Sequence, residues 1–352
     1  MIKMFEKDNV TQQEVDAVNE KVAKCENNQQ IVETLKTVKK SEIEIMPVAS
    51  AEQYKVSDVR YVPYYEHDET GGLEFEFYTS HMNAVKSPLL LTGPTGTAKT
   101  LSVAAYAAYL KALCLQVDCS EGTKRADLIG RFIILDGSVK FQLGTIPHAI
   151  EIANQTGQAI IDFEEVNGLQ PHMQKVLNQF LDWRDHIYVP EITRTFQVAK
   201  DKKLMVFATM NPSTYGGTNE LNKDFKRRFT QIKWPYPSSD QEFKIIEHDG
   251  VDEKYVKGII QLGMELRASE AQGDIDNSPS PATNQKFCDV LREYAKNPRI
   301  SACFNGKGAL HYALLHTIVN EFDIPIQKDL VQKRIGRIFG IKTLGDQKAD
   351  DD

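Results

Sequence analysis

A lysine and a hydroxyl residue close the run Gly93-Pro94-Thr95-Gly96-Thr97-Ala98-Lys99-Thr100, which follows the apolar Leu89-Leu90-Leu91 and precedes the helix-prone stretch Leu101 to Ala112. Glycines let the backbone curl until successive N–H groups aim at one point, and a helix N-terminus adds its positive dipole end. That cradle suits the phosphates of a nucleoside triphosphate. Lys99 is predicted to reach the β- and γ-phosphates, and Thr100 to present its hydroxyl to a Mg²⁺ ion that bridges them. The pattern asks for glycine just before the lysine; Ala98, the smallest substitute, stands there.

A phosphate cradle alone admits kinases, GTPases and motors, so the acidic run Ala159-Ile160-Ile161-Asp162-Phe163-Glu164-Glu165-Val166-Asn167 has to discriminate. Its apolar half reads as a buried strand, and carboxylates at the C-terminal end of such a strand sit where α/β folds place ligands. Glu165 fits a base that orients and polarises an attacking water. The metal position is left to Glu164, which is preferred, or to Asp162, which lies on the same strand face. A later strand closes on Met210-Asn211-Pro212, where Asn211 is positioned to bond a γ-phosphate or the lytic water. The paired arginines of Asn222-Lys223-Asp224-Phe225-Lys226-Arg227-Arg228-Phe229 could lend a guanidinium to a neighbouring subunit and stabilise charge developing in phosphoryl transfer. Arg228 is the first candidate and Arg227 the second.

The elements that must hold these groups are legible in outline. Apolar strands at 88–92, 114–118, 159–163 and 204–210 alternate with helical stretches, which specifies an α/β fold: a parallel sheet with helices on both faces. The stretches 187–192 and 195–198 read as a β-hairpin inserted before the last strand. Beyond Trp234-Pro235 the chain turns helical, over 240–247, 255–268, 284–294 and 308–322. The expected organisation is therefore an N-terminal helical or coiled segment at 1–40, a nucleotide-binding α/β domain at 41–235, a small helical lid domain at 236–345 and a disordered acidic tail at 346–352. Residues 41–80 read as irregular and aromatic, with Tyr61, Tyr64 and Tyr65 serving either the core or as a platform for a base.

The 352 residues are 41% apolar, ample for a core, and the net charge of -7 argues against a globally basic nucleic-acid surface. Five cysteines at irregular spacing fit free thiols in a reducing compartment, and Cys114 and Cys119 have no second pair at zinc-site spacing. No apolar run approaches the length of about 20 residues that spans a bilayer, and the first residues lack an apolar signal region. These observations lead to an expected cytoplasmic location. The scattered His148, His172, His311 and His316 form no legible site, and Trp183 and Trp234 read as packing residues.

Taken in order, the phosphate run, Ala126-Asp127-Leu128-Ile129-Gly130, Phe141-Gln142-Leu143-Gly144, Glu164-Glu165-Val166-Asn167, Met173-Gln174-Lys175-Val176-Leu177, Met210-Asn211-Pro212 and Arg228-Phe229 resemble the AAA+ ATPases of the MoxR-like group. The resemblance covers roughly residues 60–340. It implies ATP as the nucleotide, a homo-oligomeric ring usually of six subunits with ATP at each interface, and an insert near 121–145 on the pore-facing surface. It also implies a partner bearing a von Willebrand factor A domain, with a protein client to be remodelled. The arginine such proteins often carry at the start of a lid helix is missing; Asn284 or Lys286 stands in its place. Two other readings are carried: a nucleic-acid motor using Lys124, Arg125, Arg131 and Lys140, and an assembly scaffold with slow turnover.

Overall fold

The computed structural model describes Gln29 and residues 43–341, except 58, 70, 85–86, 183–185 and 213–219. The expected N-terminal helical segment, the acidic tail and Trp183 lie outside the described residues, Gln29 apart. The strands in chain order are β1 Ile45–Met46, β2 Leu89–Thr92, β3 Leu113–Asp118, β4 Gly130–Leu135, β5 Ser138–Leu143 and β6 Gln158–Glu164. They continue as β7 His186–Val189, β8 Arg194–Gln197, β9 Lys203–Met210 and β10 Thr230–Lys233. The helices that matter below are α1 Glu74–Ala84, α2 Lys99–Leu110, α3 Thr145–Thr156, α4 Pro171–Phe180 and α5 Lys223–Lys226. The helical C-terminal part adds α6 Ser239–Ile245, α7 Glu253–Gln272, α8 Pro281–Ala295, α9 Pro298–Gly306, α10 Gly308–Thr317 and α11 Pro325–Phe339.

Five strands make a parallel sheet of order β10-β2-β9-β6-β3. By packing, the chain divides into two compact units, residues 1–55, 111–206 and 219–229 in one, and 56–110, 207–218 and 230–352 in the other.

In the first unit, β3 and β6 pair in parallel with Leu113 opposite Ala159 and Asp118 opposite Glu164. Ala159, Ile160, Ile161 and Phe163 are all buried, as strands covered on both faces must be. The insert at 121–145 is a hairpin, β4 antiparallel to β5, with β1 added in parallel to β5. The second hairpin, β7–β8, sits where the sequence expected it, with Val189 opposite Arg194.

In the second unit, β2 is the centre. Leu89 faces Phe207 on one side and Thr230 on the other, and Thr92 faces Met210 and Lys233. Helix α8 begins at Pro281 because Ser280 caps it, its Oγ accepting from Thr283 N–H at 3.2 Å, and proline is tolerated at the first helical position. Val256, Ile259 and Leu262 of α7, Phe287 of α8, Leu314 of α10 and Ile335 of α11 close a separate helical core. The segment expected to be irregular contains a full helix, α1, whose Tyr78 is buried against Tyr106 and Phe207. Among the described residues, no helix is long and apolar enough to cross a membrane.

Candidate functional site

The phosphate run folds as predicted locally: β2 ends at Thr92, the chain turns through 93–98, and α2 starts at Lys99. Two positions dictate small residues. A Cβ on Gly93 would lie 2.2 Å from the Trp234 carbonyl oxygen, and Gly96 has φ +71° with a would-be Cβ 2.3 Å from Ser280 Oγ. Ala98 adopts φ +62° although it carries a Cβ, which answers the departure from glycine noted in the sequence: the backbone still takes the left-handed turn, under strain.

Lys99 is buried, and its Nζ donates to the carbonyls of Gly93 at 2.8 Å and Pro94 at 2.7 Å and to Asn211 Oδ1 at 3.1 Å. Thus the structure brings together Lys99 and Asn211, two residues assigned to one site from motifs 112 positions apart. Asn211 follows β9 directly, and Gly93 N–H donates to Met210 O at 3.3 Å, so the loop and the strand tip are tied by backbone as well. Thr97 Oγ1 closes the loop on the Pro94 carbonyl at 2.7 Å. Thr100, half-buried at the second residue of α2, supplies a hydroxyl oxygen.

An aromatic clamp that sequence reasoning left undecided stands behind this loop. Trp234 Nε1 donates to Thr97 O at 2.8 Å and to Tyr64 Oη at 2.6 Å, and Tyr64 Oη donates to Thr97 O at 2.5 Å. Tyr65 stacks on the Trp234 ring at 5.0 Å, with the planes 8° apart. Tyr61 Oη and Tyr64 N–H both donate to Glu74 Oε1, at 2.6 and 3.0 Å. Tyr64 is buried and Tyr61 half-buried, and burial pushes both phenols well above the ordinary tyrosine range. Trp234 packs, as expected, and also hydrogen-bonds.

The start of α8 touches the loop through Ser280 at Gly96. Neither stand-in for the missing lid arginine does so as a cation. Asn284 is fully buried, and its Nδ2 donates to Glu242 Oε1 at 2.7 Å. Glu242 is also gripped by Arg267, whose Nη1 and Nη2 donate to its two oxygens at 2.8 and 3.0 Å while Nε donates to Pro279 O at 2.9 Å. Lys286 is exposed, and its charge acts on Glu321.

In the other unit, the three acidic candidates occupy one strand end. Asp162 is fully buried, and among the described residues its two oxygens have no hydrogen-bond partner; desolvation, then the charge of Glu164, hold its carboxyl well above the usual carboxylate range. Glu164, the last residue of β6, is half-buried, and Glu165 is exposed in a left-handed conformation, φ 50° and ψ 47°. A glutamate held at positive φ between strand and turn is the kind of backbone strain that concentrates at functional positions. Of the paired arginines, Arg227 is exposed, whereas Arg228 Nε donates to Asn178 Oδ1 at 3.0 Å with Asp182 3.8 Å from its Nη1.

The basic residues of the insert are engaged with acids and amides. Arg125 makes a forked pair with Glu191, Lys140 pairs with Glu44 at 3.1 Å, and Arg131 donates to Gln142; Lys124 is exposed. His148 is buried with its ring edge on Tyr54, His172 is exposed, His311 stacks on Phe304, and His316 bonds Tyr294. Among the described residues no group of three or more His, Cys, Asp and Glu could hold a metal by itself. Cys114, Cys119, Cys288 and Cys303 are free thiols.

Residues 88–229 match the AAA domain, dynein-related subfamily, a span holding the phosphate loop, the acidic strand, Asn211 and both arginines. The chain is 27% identical over 217 residues to Protein CbbQ of Hydrogenophilus thermoluteolus, covering 61% of this chain and 77% of that one. It is 27% identical over 186 residues to Protein NorQ of Paracoccus denitrificans, with coverages of 53% and 66%. To the Denitrification regulatory protein NirQ of Pseudomonas aeruginosa it is 28% identical over 194 residues, with coverages of 55% and 72%.

Proposed function

We propose that the chain, which is similar to the MoxR-like AAA+ ATPases, hydrolyses ATP in a homo-oligomeric ring, a hexamer by family habit, and uses the cycle to remodel or activate a protein client. The observation that carries the reading is Lys99, pinned between two loop carbonyls and Asn211. An ammonium held at the mouth of a glycine-bearing loop, at the first residue of a helix, suits a polyphosphate.

Each residue then has a task. Residues 93–100 cradle the triphosphate, with Lys99 on its terminal phosphates. Glu165 takes the proton of the attacking water, and Asn211 orients that water or the γ-phosphate. Hard oxygen donors suit Mg²⁺, which is commonly held by one or two carboxylates plus substrate phosphates rather than by an all-protein cage; Thr100 and Glu164 would hold it here. When bound, the ion neutralises charge on the phosphates. Asp162 is the weaker metal candidate, because it is fully buried within β6, whereas Glu164 ends the strand and is half-buried. Arg228, or the exposed Arg227, is offered to the neighbouring subunit. The α/β domain at 41–235 and the lid at 236–345 are the working parts of this scheme, and a cytoplasmic setting agrees with the free thiols.

A von Willebrand factor A domain protein is the proposed partner. The nucleic-acid reading is not favoured: Arg125 and Lys140 are paired with Glu191 and Glu44, although Lys124 and Arg131 keep their charge. The test is Glu165→Gln: it is expected to bind ATP like the wild type and to turn it over at least about 100-fold more slowly, the range that a positioned base contributes. Wild-type turnover by this variant would remove the base.

A further inference from the structure

Helix α4 carries a connection that none of these roles uses. Gln174 is fully buried, and both ends of its amide are committed to backbone: Nε2 donates to Leu169 O at 3.1 Å, and Oε1 accepts from Asn222 N–H at 2.8 Å. Asn222 answers by donating from Nδ2 to Pro171 O at 3.2 Å. One helical turn further on, Asn178 Oδ1 accepts from Arg228 Nε at 3.0 Å. Residues 174 and 178 are four apart and so share a face of the helix.

The two ends of this connection are the functional ones. Leu169 ends the tight turn that begins at Glu165, where Gly168 N–H donates to Glu165 O at 2.7 Å and Leu169 N–H to Val166 O at 3.3 Å. Asn222 begins the short segment, α5, that leads to Arg227 and Arg228. A buried amide bonded at both ends cannot slide without orphaning a carbonyl or an N–H, so the glutamate turn and the arginine segment are fastened to one rigid helix.

We infer that Gln174 and Asn178 are positioning residues that make the glutamate turn of a subunit and the arginines it offers to its neighbour move as one body. In a ring, a change at Glu165 in one site is thereby passed to the arginine of the next. The inference rests on the ring reading above, in which those arginines act in trans. Without Gln174 the arginine segment loses its anchor, and a misplacement of about 1 Å in such a group can cost about 100-fold in rate.

The test uses the full chain and ATP turnover. Gln174→Met keeps the length and loses both hydrogen bonds. It is expected to bind ATP with unchanged affinity and to turn it over about 100-fold more slowly. Co-expression with Glu165→Gln subunits, which lack the base but keep their arginines, should restore turnover in mixed rings, because each Gln174→Met site then receives a well-placed arginine. The reference mixture pairs Glu165→Gln with an Arg227→Ala/Arg228→Ala subunit. Recovery in both mixtures supports the inference. Recovery in the reference alone overturns it, since Gln174 would then serve only its own site or the fold. Absence of recovery in the reference removes the trans arginines, and the inference with them. Should Gln174→Met fail to fold, Asn178→Ala, at a half-buried position, takes its place with the same outcomes.

Discussion

Ala98 sits at φ +62° between Gly96 and the first turn of α2, and its carbonyl accepts from Ser102 N–H at 2.9 Å, so the helix itself holds it in that conformation. A residue with a Cβ in the left-handed region costs about 1–2 kcal/mol against the right-handed alternative, and glycine escapes that cost. Ala98→Gly removes the strain but widens the unfolded ensemble, a loss of about 0.4–1 kcal/mol. The balance, about 0.5–1 kcal/mol in favour of the variant, corresponds to a rise of about 1–4 °C in Tm for a unit of this size. Urea unfolding and thermal melting without nucleotide read the stability, and titration with a fluorescent ATP analogue reads the loop. Binding should hold or tighten, because glycine keeps the left-handed turn of the loop at lower cost. Ala98→Val should move the other way, since a β-branched side chain at positive φ is a worse outlier. If the Ala98→Gly variant proved less stable than the wild type, or the Ala98→Val variant equal to it, position 98 would not be left-handed in solution.

Two further perturbations probe the surroundings of the loop. Trp234→Phe keeps the ring over Tyr65 but loses the Nε1 donations to Thr97 O and Tyr64 Oη, so stability is expected to fall by about 1–3 kcal/mol and ATP affinity with it; an unchanged melting curve contradicts the clamp. Glu74 is buried, and desolvation raises its carboxyl above the ordinary 4.5 despite the donations from Tyr61 and Tyr64. Its proton is therefore bound more tightly in the folded state, and stability drains away as pH rises from the unfolded value through the folded one. Glu74→Gln, neutral throughout, should lose less Tm than the wild type as pH rises above 4.5, and parallel curves would count against this.

The chemistry-bearing runs were legible because each couples an unbroken apolar strand to a polar tip: Leu89–Thr92 before the loop, Ala159–Glu164 before Glu165, and the strand before Asn211. What escaped notice depends on contacts distant in sequence or on weak local signals. Strand β10, Thr-Gln-Ile-Lys, carries one apolar residue and pairs only because β2 leaves an edge beside it. Helix α1 follows Gly71-Gly72 and shows Phe75, Phe77 and Tyr78 without a clear helical stripe, so its neighbourhood read as irregular. The Tyr64–Trp234 bond spans 170 positions, and no local pattern announces it. By contrast, Ser280-Pro281 with Thr283 is a readable helix start that the sequence reading placed three residues late, at Asn284. The buried ion pair of Arg267 with Glu242 occupies Asn284 inside the helical core, which is why that position has no cation to extend toward phosphate.

The central claim is that Lys99 and its loop bind a triphosphate, and calorimetric titration of Mg-ATP into the full chain and into Lys99→Ala tests it most directly. The account predicts saturable binding by the wild type and loss of binding in the variant, with the fold intact by circular dichroism. Equal affinity in the two proteins, or no uptake by the wild type, would contradict it.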